Sequence, residues 1–308
     1  MAGWEKGKGW GWIWGNEDEI GALNAVTPES VLAALTIVKK GKVADLGVMV
    51  DRNSFRWAGH APTEVMSYRT PQGERAVGHA VPGSNDPRWH STVVFTCDNI
   101  GTHLDGLCHF TAGRGSETHW YNGFLEDQHA TDFGVLKAGA DKYPPIVARG
   151  ILLDVAGYKQ LEVLPSKYAI TPGDLEKTMQ WEGVAPRVGD VILIRTGIGR
   201  YWGELGHDHE RLSRHDTAGI TRDAARYLVE EFGPILIATD TSTFEVMPEG
   251  ISAHMYMLVE QGVPIGELHD LENLARDRTY EFAYFAATNK TRGMAAGLAI
   301  RPFAPYQC

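Results

Sequence analysis

Apolar residues recur along this chain at two spacings, and each predicts its own elements. The helical spacing appears first after Thr27-Pro28-Glu29, where an N-cap hydroxyl precedes a proline at the first helical position. Val31, Ala34, Leu35 and Val38 then share one face, and Gly41 ends the run. Thr171-Pro172-Gly173-Asp174 predicts a second helix with an acid in its first turn. Thr221 opens a third, with Ala225, Leu228, Val229 and Phe232 as its apolar face, and Ser252 is the expected cap of a fourth that reaches about Gln261. Short β-branched runs predict strands at 43–50, 93–97, 151–155, 191–194, 235–238 and 280–286. Two of these end in an acid, Asp154 and Asp240. Strands that follow directly on helices predict an α/β layered or barrel fold. No repeat or low-complexity linker divides the chain. The polar stretch from Tyr201 to Asp216 reads as a long solvated surface loop, so a single domain over 27–308 is expected, behind an N-terminal arm over 1–26.

Charge narrows the partners. The formal net charge of -10 argues against nucleic acid and against an anionic membrane surface as the main partner. No apolar run approaches the ~20 residues that span a bilayer. The opening MAGWEKGKGWGWIWG has no apolar core of a secretory signal, and Cys97, Cys108 and Cys308 are too few for a disulfide framework; a cytoplasmic location is expected.

One stretch is far richer in ligand-type residues than the rest: Cys97-Asp98-Asn99-Ile100-Gly101-Thr102-His103-Leu104-Asp105-Gly106-Leu107-Cys108-His109-Phe110. In extended chain His103 and Asp105 face the same way, and an imidazole beside a carboxylate chelates a divalent cation. His109 would lie ~13 Å from Asp105 if the chain stayed extended, but if Gly106 lets the chain turn into a helix the two become neighbours. Gly101 allows a bend that brings Asn99 toward His103. Further ligands must come from elsewhere, and His254 and Glu267 are the candidates; a capping histidine and a surface glutamate are their plainer readings. Cys108 and His109 point apart as sequence neighbours, which argues against a cysteine-histidine dyad.

Gly101-Thr102-His103-x-Asp105 followed by His109 resembles the motif of the putative cyclase family of metal-dependent hydrolases, which includes kynurenine formamidases, isatin hydrolases and trans-dienelactone hydrolases. The resemblance extends to Trp14-Gly15, Asp18-Glu19, Gly21-Ala22-Leu23-Asn24, Tyr121-Asn122-Gly123, the runs 149–154 and 189–197, and His254 through Ala275, about residues 14–303 in all. It implies a single-domain α/β fold of the cyclase-like swivelling β/β/α barrel type. It also implies metal ligands His103, Asp105, His254 and Glu267, a proton-transfer role for His109, and a dimer or tetramer. One departure stands at Asn99, where the family usually has histidine. An amide is a poorer zinc ligand than imidazole, so one divalent ion, zinc or manganese, is expected rather than two, with Asn99 at most a weak ligand.

The chemistry that follows is hydrolysis of a small amide, lactam, lactone or ester. A metal-activated water would attack, and His109 would take the proton and return it to the leaving group. The partner is then a small-molecule substrate, expected to be planar and to need flat apolar walls: Trp14, Trp120 and Tyr121, with His119 beside them, are the candidate substrate residues. Trp10, Trp12 and Trp14 either fold over a site or pack on their own domain. Arg69, Arg114 or Arg195 are candidates to hold a substrate carboxylate. Two rival readings remain at this stage: an Fe(II) oxygenase with a His103/Asp105/His254 facial triad, and a non-catalytic ligand-binding member of the fold. His207-Asp208-His209 superficially repeats the metal pattern but reads as part of the solvated loop.

Overall fold

Three of the four predicted helix starts are formed as the capping chemistry dictates. In the computed structural model, which describes residues 3–39, 41–79, 82, 83, 85, 87–203, 207–248 and 250–306, helices run over Pro28–Leu35, Pro172–Glu182 and Arg222–Phe232. Thr27, Thr171 and Thr221 each accept a hydrogen bond from the backbone N–H three residues on. The first helix is shorter than expected. It stops at Leu35, leaves Val38 outside, and buries only Ala34. The fourth start differs in kind. Ile251, not Ser252, stands at the cap of the Ser252–His254 turn, and the chain continues as a π-helix over Met255–Glu260. Cys308 lies outside the described residues.

Among the described residues nine strands form one mixed sheet. Their order is Lys42–Asp45, Phe303–Tyr306, Glu281–Ala286, Ile146–Asp154, Val191–Arg195, Leu236–Thr239, Ile265–Glu267, His103–Asp105 and Ala296–Gly297. The four strands from Ile146–Asp154 to Ile265–Glu267 run parallel; the rest pair antiparallel. Val191–Arg195 and Leu236–Thr239 are buried throughout, as continuous apolar runs at the centre of a parallel sheet must be. The two strand-ending acids tie neighbouring strand ends together. Asp154 pairs with the buried Arg195, and Asp240 accepts from the backbone and hydroxyl of Thr196 and from Gly197 N–H. They are structural groups, each with its partners inside the fold.

The predicted strand at 93–97 forms outside that sheet. Ser91–Phe95 pairs only with Glu64–Arg69 as a two-stranded ribbon, and Val65, Met66, Val93, Val94 and Phe95 are exposed on it. The stretch 201–216 is not a simple solvated loop either. Trp202 and Leu212 are buried with Phe55, Ile100 and Leu268 in a second small core, and His207 packs on Trp202. No helix among the described residues is long and apolar enough to cross a membrane.

The arm packs on its own domain. Trp10 is buried and its indole N–H donates to Pro234 O, while the indole N–H groups of Trp4 and Trp12 donate to Val229 O and Val259 O. Gln261 closes the arrangement, accepting from both Trp10 N–H (2.7 Å) and Gly11 N–H (3.0 Å) with one amide oxygen. The arm thus grips the end of the 222–232 helix and the π-helix beyond His254. Replacing Gln261 by leucine leaves two backbone donors without their acceptor. A loss of about 2 kcal/mol is expected, seen as a Tm lower by a few degrees and as faster proteolysis within residues 3–26. Unchanged melting and unchanged cleavage would show that the arm is held without this amide.

Candidate metal centre

His103 and Asp105 lie on one face of a three-residue strand, with Leu104 buried on the other. That strand pairs antiparallel with Ile265–Glu267 in a register that sets Glu267 directly opposite His103. The pairing brings residues 164 positions apart onto one spot. His254 arrives from the Ser252–His254 turn, and the π-helix that follows is the kind of local irregularity that often marks functional sites.

The distances define a cluster. His103 Nε2 is 3.4 Å from Asp105 Oδ1 and 3.6 Å from Glu267 Oε2. His254 Nε2 is 3.7 Å from Asp105 Oδ2 and 3.5 Å from Glu267 Oε1. Ligand atoms of Asp105, His254 and Glu267 all fall within 4.8 Å of one another, and all three residues are buried. Both imidazoles are held from behind. His103 Nδ1 lies 2.8 Å from Gly101 O, an atom that only accepts, and His254 Nδ1 lies 2.6 Å from Glu245 Oε1. The Nδ1 positions therefore carry the protons, and the Nε2 atoms face the carboxylates.

With both imidazoles neutral, this geometry points nitrogen lone pairs and carboxylate oxygens at one another. Both oxygens of Asp105 are buried and have no hydrogen-bond partner. Such a set of acceptors requires a cation, and in the bare protein protons take that part. Burial opposes charging His103, but the Asp105 carboxylate 3.4 Å away, with Glu267, pushes it up to about 9. Burial likewise opposes charging His254, and the Glu245 and Glu267 carboxylates push it up to about 10. Burial alone would raise the Asp105 carboxyl; the nearby imidazoles of His109, His103 and His254 outweigh it and hold it well below the usual carboxylate range. Two imidazoles and two carboxylates suit a divalent transition ion.

His109 reaches the cluster through a turn at Gly106, not a helix: His109 N–H bonds Gly106 O, and His109 Nε2 is 3.8 Å from Asp105 Oδ1. Gly106 is required there by crowding, since a Cβ would lie 2.3 Å from Ala295 O. Gly101, with φ +60°, makes the expected bend. Asn99 lines the cavity with His103 and His109, and its amide oxygen accepts from the Cys97 thiol. Cys108 is buried, which pushes its thiol up to about 12 and makes it inert as a nucleophile.

That cavity, about 340 Å³, opens onto His103, His109, His254 and Glu267 and is walled by Phe55, Trp57, Phe110, Met247, Ile251 and Leu268. Trp14, Trp120, Tyr121 and His119 are not among its walls. Trp14 stacks on Trp10 in the arm, and Trp120 is buried in the main core. Tyr121 donates its hydroxyl to Asp18, and His119 is tied by backbone bridges to Ala112 and Leu125. Their nearness to the motif in sequence does not become nearness in space, because the chain leaves the site after Phe110. Glu245 had no sequence signal at all. Its carboxylate holds His254 and also accepts from Ala253 N–H, doing the capping expected of Ser252. His60, His215 and Trp57 were missed as well, since their loops meet the motif only in the folded chain.

Glu245 should act as a positioning residue. Glu245→Gln is expected to lower metal affinity by one to two orders of magnitude, the usual cost of losing a carboxylate behind a ligating histidine. Metal titration of the folded variant checks this; affinity equal to that of the parent would assign Glu245 to helix capping alone.

Comparison with known proteins gives the family and the fold. The family model described as "Putative cyclase" matches residues 44–246, a stretch that includes His103, Asp105 and His109 and stops before His254. Among solved structures, one described as a novel cyclase superposes with a TM-score of 0.81 at 28% identity, covering 94% of this chain and 95% of that one. An isatin hydrolase A from Ralstonia solanacearum gives 0.61 at 18% identity over 91% of this chain and 98% of its own. The enzyme of that name from Labrenzia aggregata, bound to benzyl benzoate, gives 0.60 at 16% identity, covering 85% and 93% of the respective chains. At these identities the isatin hydrolases share the fold, and they bear out the expected cyclase-like α/β architecture. No protein of curated function matches the sequence. The chain belongs to the putative cyclase family.

Proposed function

We propose that the protein is a metal-dependent hydrolase that uses His103, Asp105, His254 and Glu267 to hold one divalent ion, zinc or manganese. The observation that carries this reading is the close approach of Asp105, His254 and Glu267, with His103 Nε2 3.4 Å from Asp105 and 3.6 Å from Glu267, around a buried Asp105 carboxylate that has no hydrogen-bond partner among the described residues. When bound, such an ion supplies Lewis acidity to a carbonyl oxygen and lowers the pKa of a water. The remaining work falls to the chain. His109 stands on the cavity wall, packed edge-on against Phe110 at 4.7 Å, with Nε2 facing the cluster. From there Nε2 takes the proton of an attacking water and delivers it to the leaving nitrogen or oxygen. The apolar walls exclude bulk water and suit a small amide, lactam, lactone or ester. Asn99, turned to Cys97, supports one ion rather than two. Glu267 and His109 are the two residues for which an oxygenase triad has no use, and both face the cluster.

Elemental mass spectrometry of protein purified without chelator is expected to find about one zinc or manganese per chain. Against a panel of lactones, lactams and N-acyl amines, His109→Ala should lower turnover by roughly 10²–10⁴ with metal content unchanged. No metal taken up on incubation, or full activity in the variant, would sink the reading.

The homo-oligomer is also a proposal. It is supported by the ribbon of Glu64–Arg69 and Ser91–Phe95, whose apolar side chains are bare in the single chain and which is too small to be stable uncovered. Light scattering is expected to give at least twice the chain mass and a lower mass for Val94→Lys; a monomer in the parent protein would end this proposal.

A further inference from the structure

The cavity is lined unevenly in charge. Glu267 is its one carboxylate among the described lining residues, and that group faces the metal-binding cluster. The rest of the polar lining comes from Arg56, Asn99, Ser242, Thr243 and the imidazoles of His60, His109 and His215 besides the two candidate ligands. In a chain of net charge -10, a mouth with a guanidinium and no spare acid runs against the overall balance.

Arg56 is placed rather than loose. Its Nη1 donates to His60 O at 2.7 Å, which fixes the guanidinium at the lip, and no carboxylate pairs with it among the described residues. The arginines that the sequence offered for this purpose are elsewhere. Arg195 is held between Asp154 and Glu272, Arg69 faces Glu74 beside the ribbon, and neither they nor Arg114 line the cavity. Beside Arg56, Trp57 presents a fixed plane. Its indole N–H donates to Ser242 O at 3.1 Å, and its ring packs on His215 at 4.7 Å and on Phe55 at 5.1 Å.

We infer that this site takes a small planar ring compound bearing a carboxylate, with the ring against Trp57 and the carboxylate on the guanidinium of Arg56. The inference rests on the hydrolase reading for the bond that is cleaved, and on the cavity alone for what binds. A planar guanidinium meets a carboxylate with two parallel N–H donors, a fit that an ammonium does not reproduce. A flat ring matches an aromatic wall whose orientation is set from three sides. With the cluster acids engaged by a cation, no carboxylate among the described lining residues is left to repel an anion.

The test compares matched pairs on the metal-loaded full chain by calorimetry: benzoate with benzamide, phenylacetate with phenylacetamide, and 3-phenylpropanoate with 3-phenylpropanamide. In at least one pair the carboxylate is expected to bind roughly tenfold tighter, as a charge-assisted pair at a partly exposed lip provides. Arg56→Gln should erase that preference, leaving amide affinity and metal content as they were, and Arg56→Lys should keep part of it. Trp57→Ala should weaken both members of the pair equally. No preference in any pair, including no binding by any of the three carboxylates, overturns the inference. So does a preference that survives Arg56→Gln, which would place the carboxylate on the metal. His109→Ala is expected to keep the preference, so a failed hydrolase reading and a failed carboxylate site give different results.

Discussion

Four acceptor groups are forced together at the edge of this sheet, and much of the surrounding structure serves to keep them there. The Asp105 carboxylate is buried without a hydrogen-bond donor, between His103 and His254 and near Glu267. Left to themselves, these groups would separate or bind protons, and the raised titration of both imidazoles is the second of those outcomes. What prevents separation is backbone. His103 and Glu267 are opposed residues in a ladder, and the Asp105 strand is pinned on its other side by Ala296–Gly297. The desolvation cost of bringing the groups together is met by the sheet and core, and the cluster stays able to hold a cation.

His254 needs a different kind of support, because it comes from a three-residue turn with no cap of its own. Glu245 supplies the cap and fixes the imidazole, and Phe110 and Phe244 pack edge-on against the ring at 5.0 Å and 5.7 Å. Behind it, the tryptophan arm is anchored on Val259 and Gln261, at the far end of the π-helix. The arm therefore contacts the segment that follows His254, and none of its residues is among the described cavity walls.

The cavity shows the same division between a rigid base and walls brought from afar. Its floor is the cluster. Its sides come from the loop around Phe55–His60, from His215, and from Ser242, Thr243, Met247 and Ile251.

Local chemistry was legible in the sequence wherever it acts over a few residues. Thr-Pro pairs start helices because the cap bond spans three positions. His103 and Asp105 share a face because a strand has a period of two, and the glycines at 101 and 106 mark where the motif has to fold back. The family resemblance pointed beyond these to His254 and Glu267. Tertiary structure decided whatever depends on which distant segments meet. It sent the Val93–Phe95 strand out into a ribbon and Trp120 into the core, and it brought Glu245 behind His254 and Arg56 to the cavity mouth. No spacing rule reaches that far, because pairing in this sheet joins residues more than a hundred positions apart, and a side chain's neighbours there follow from register and packing rather than from its place along the chain.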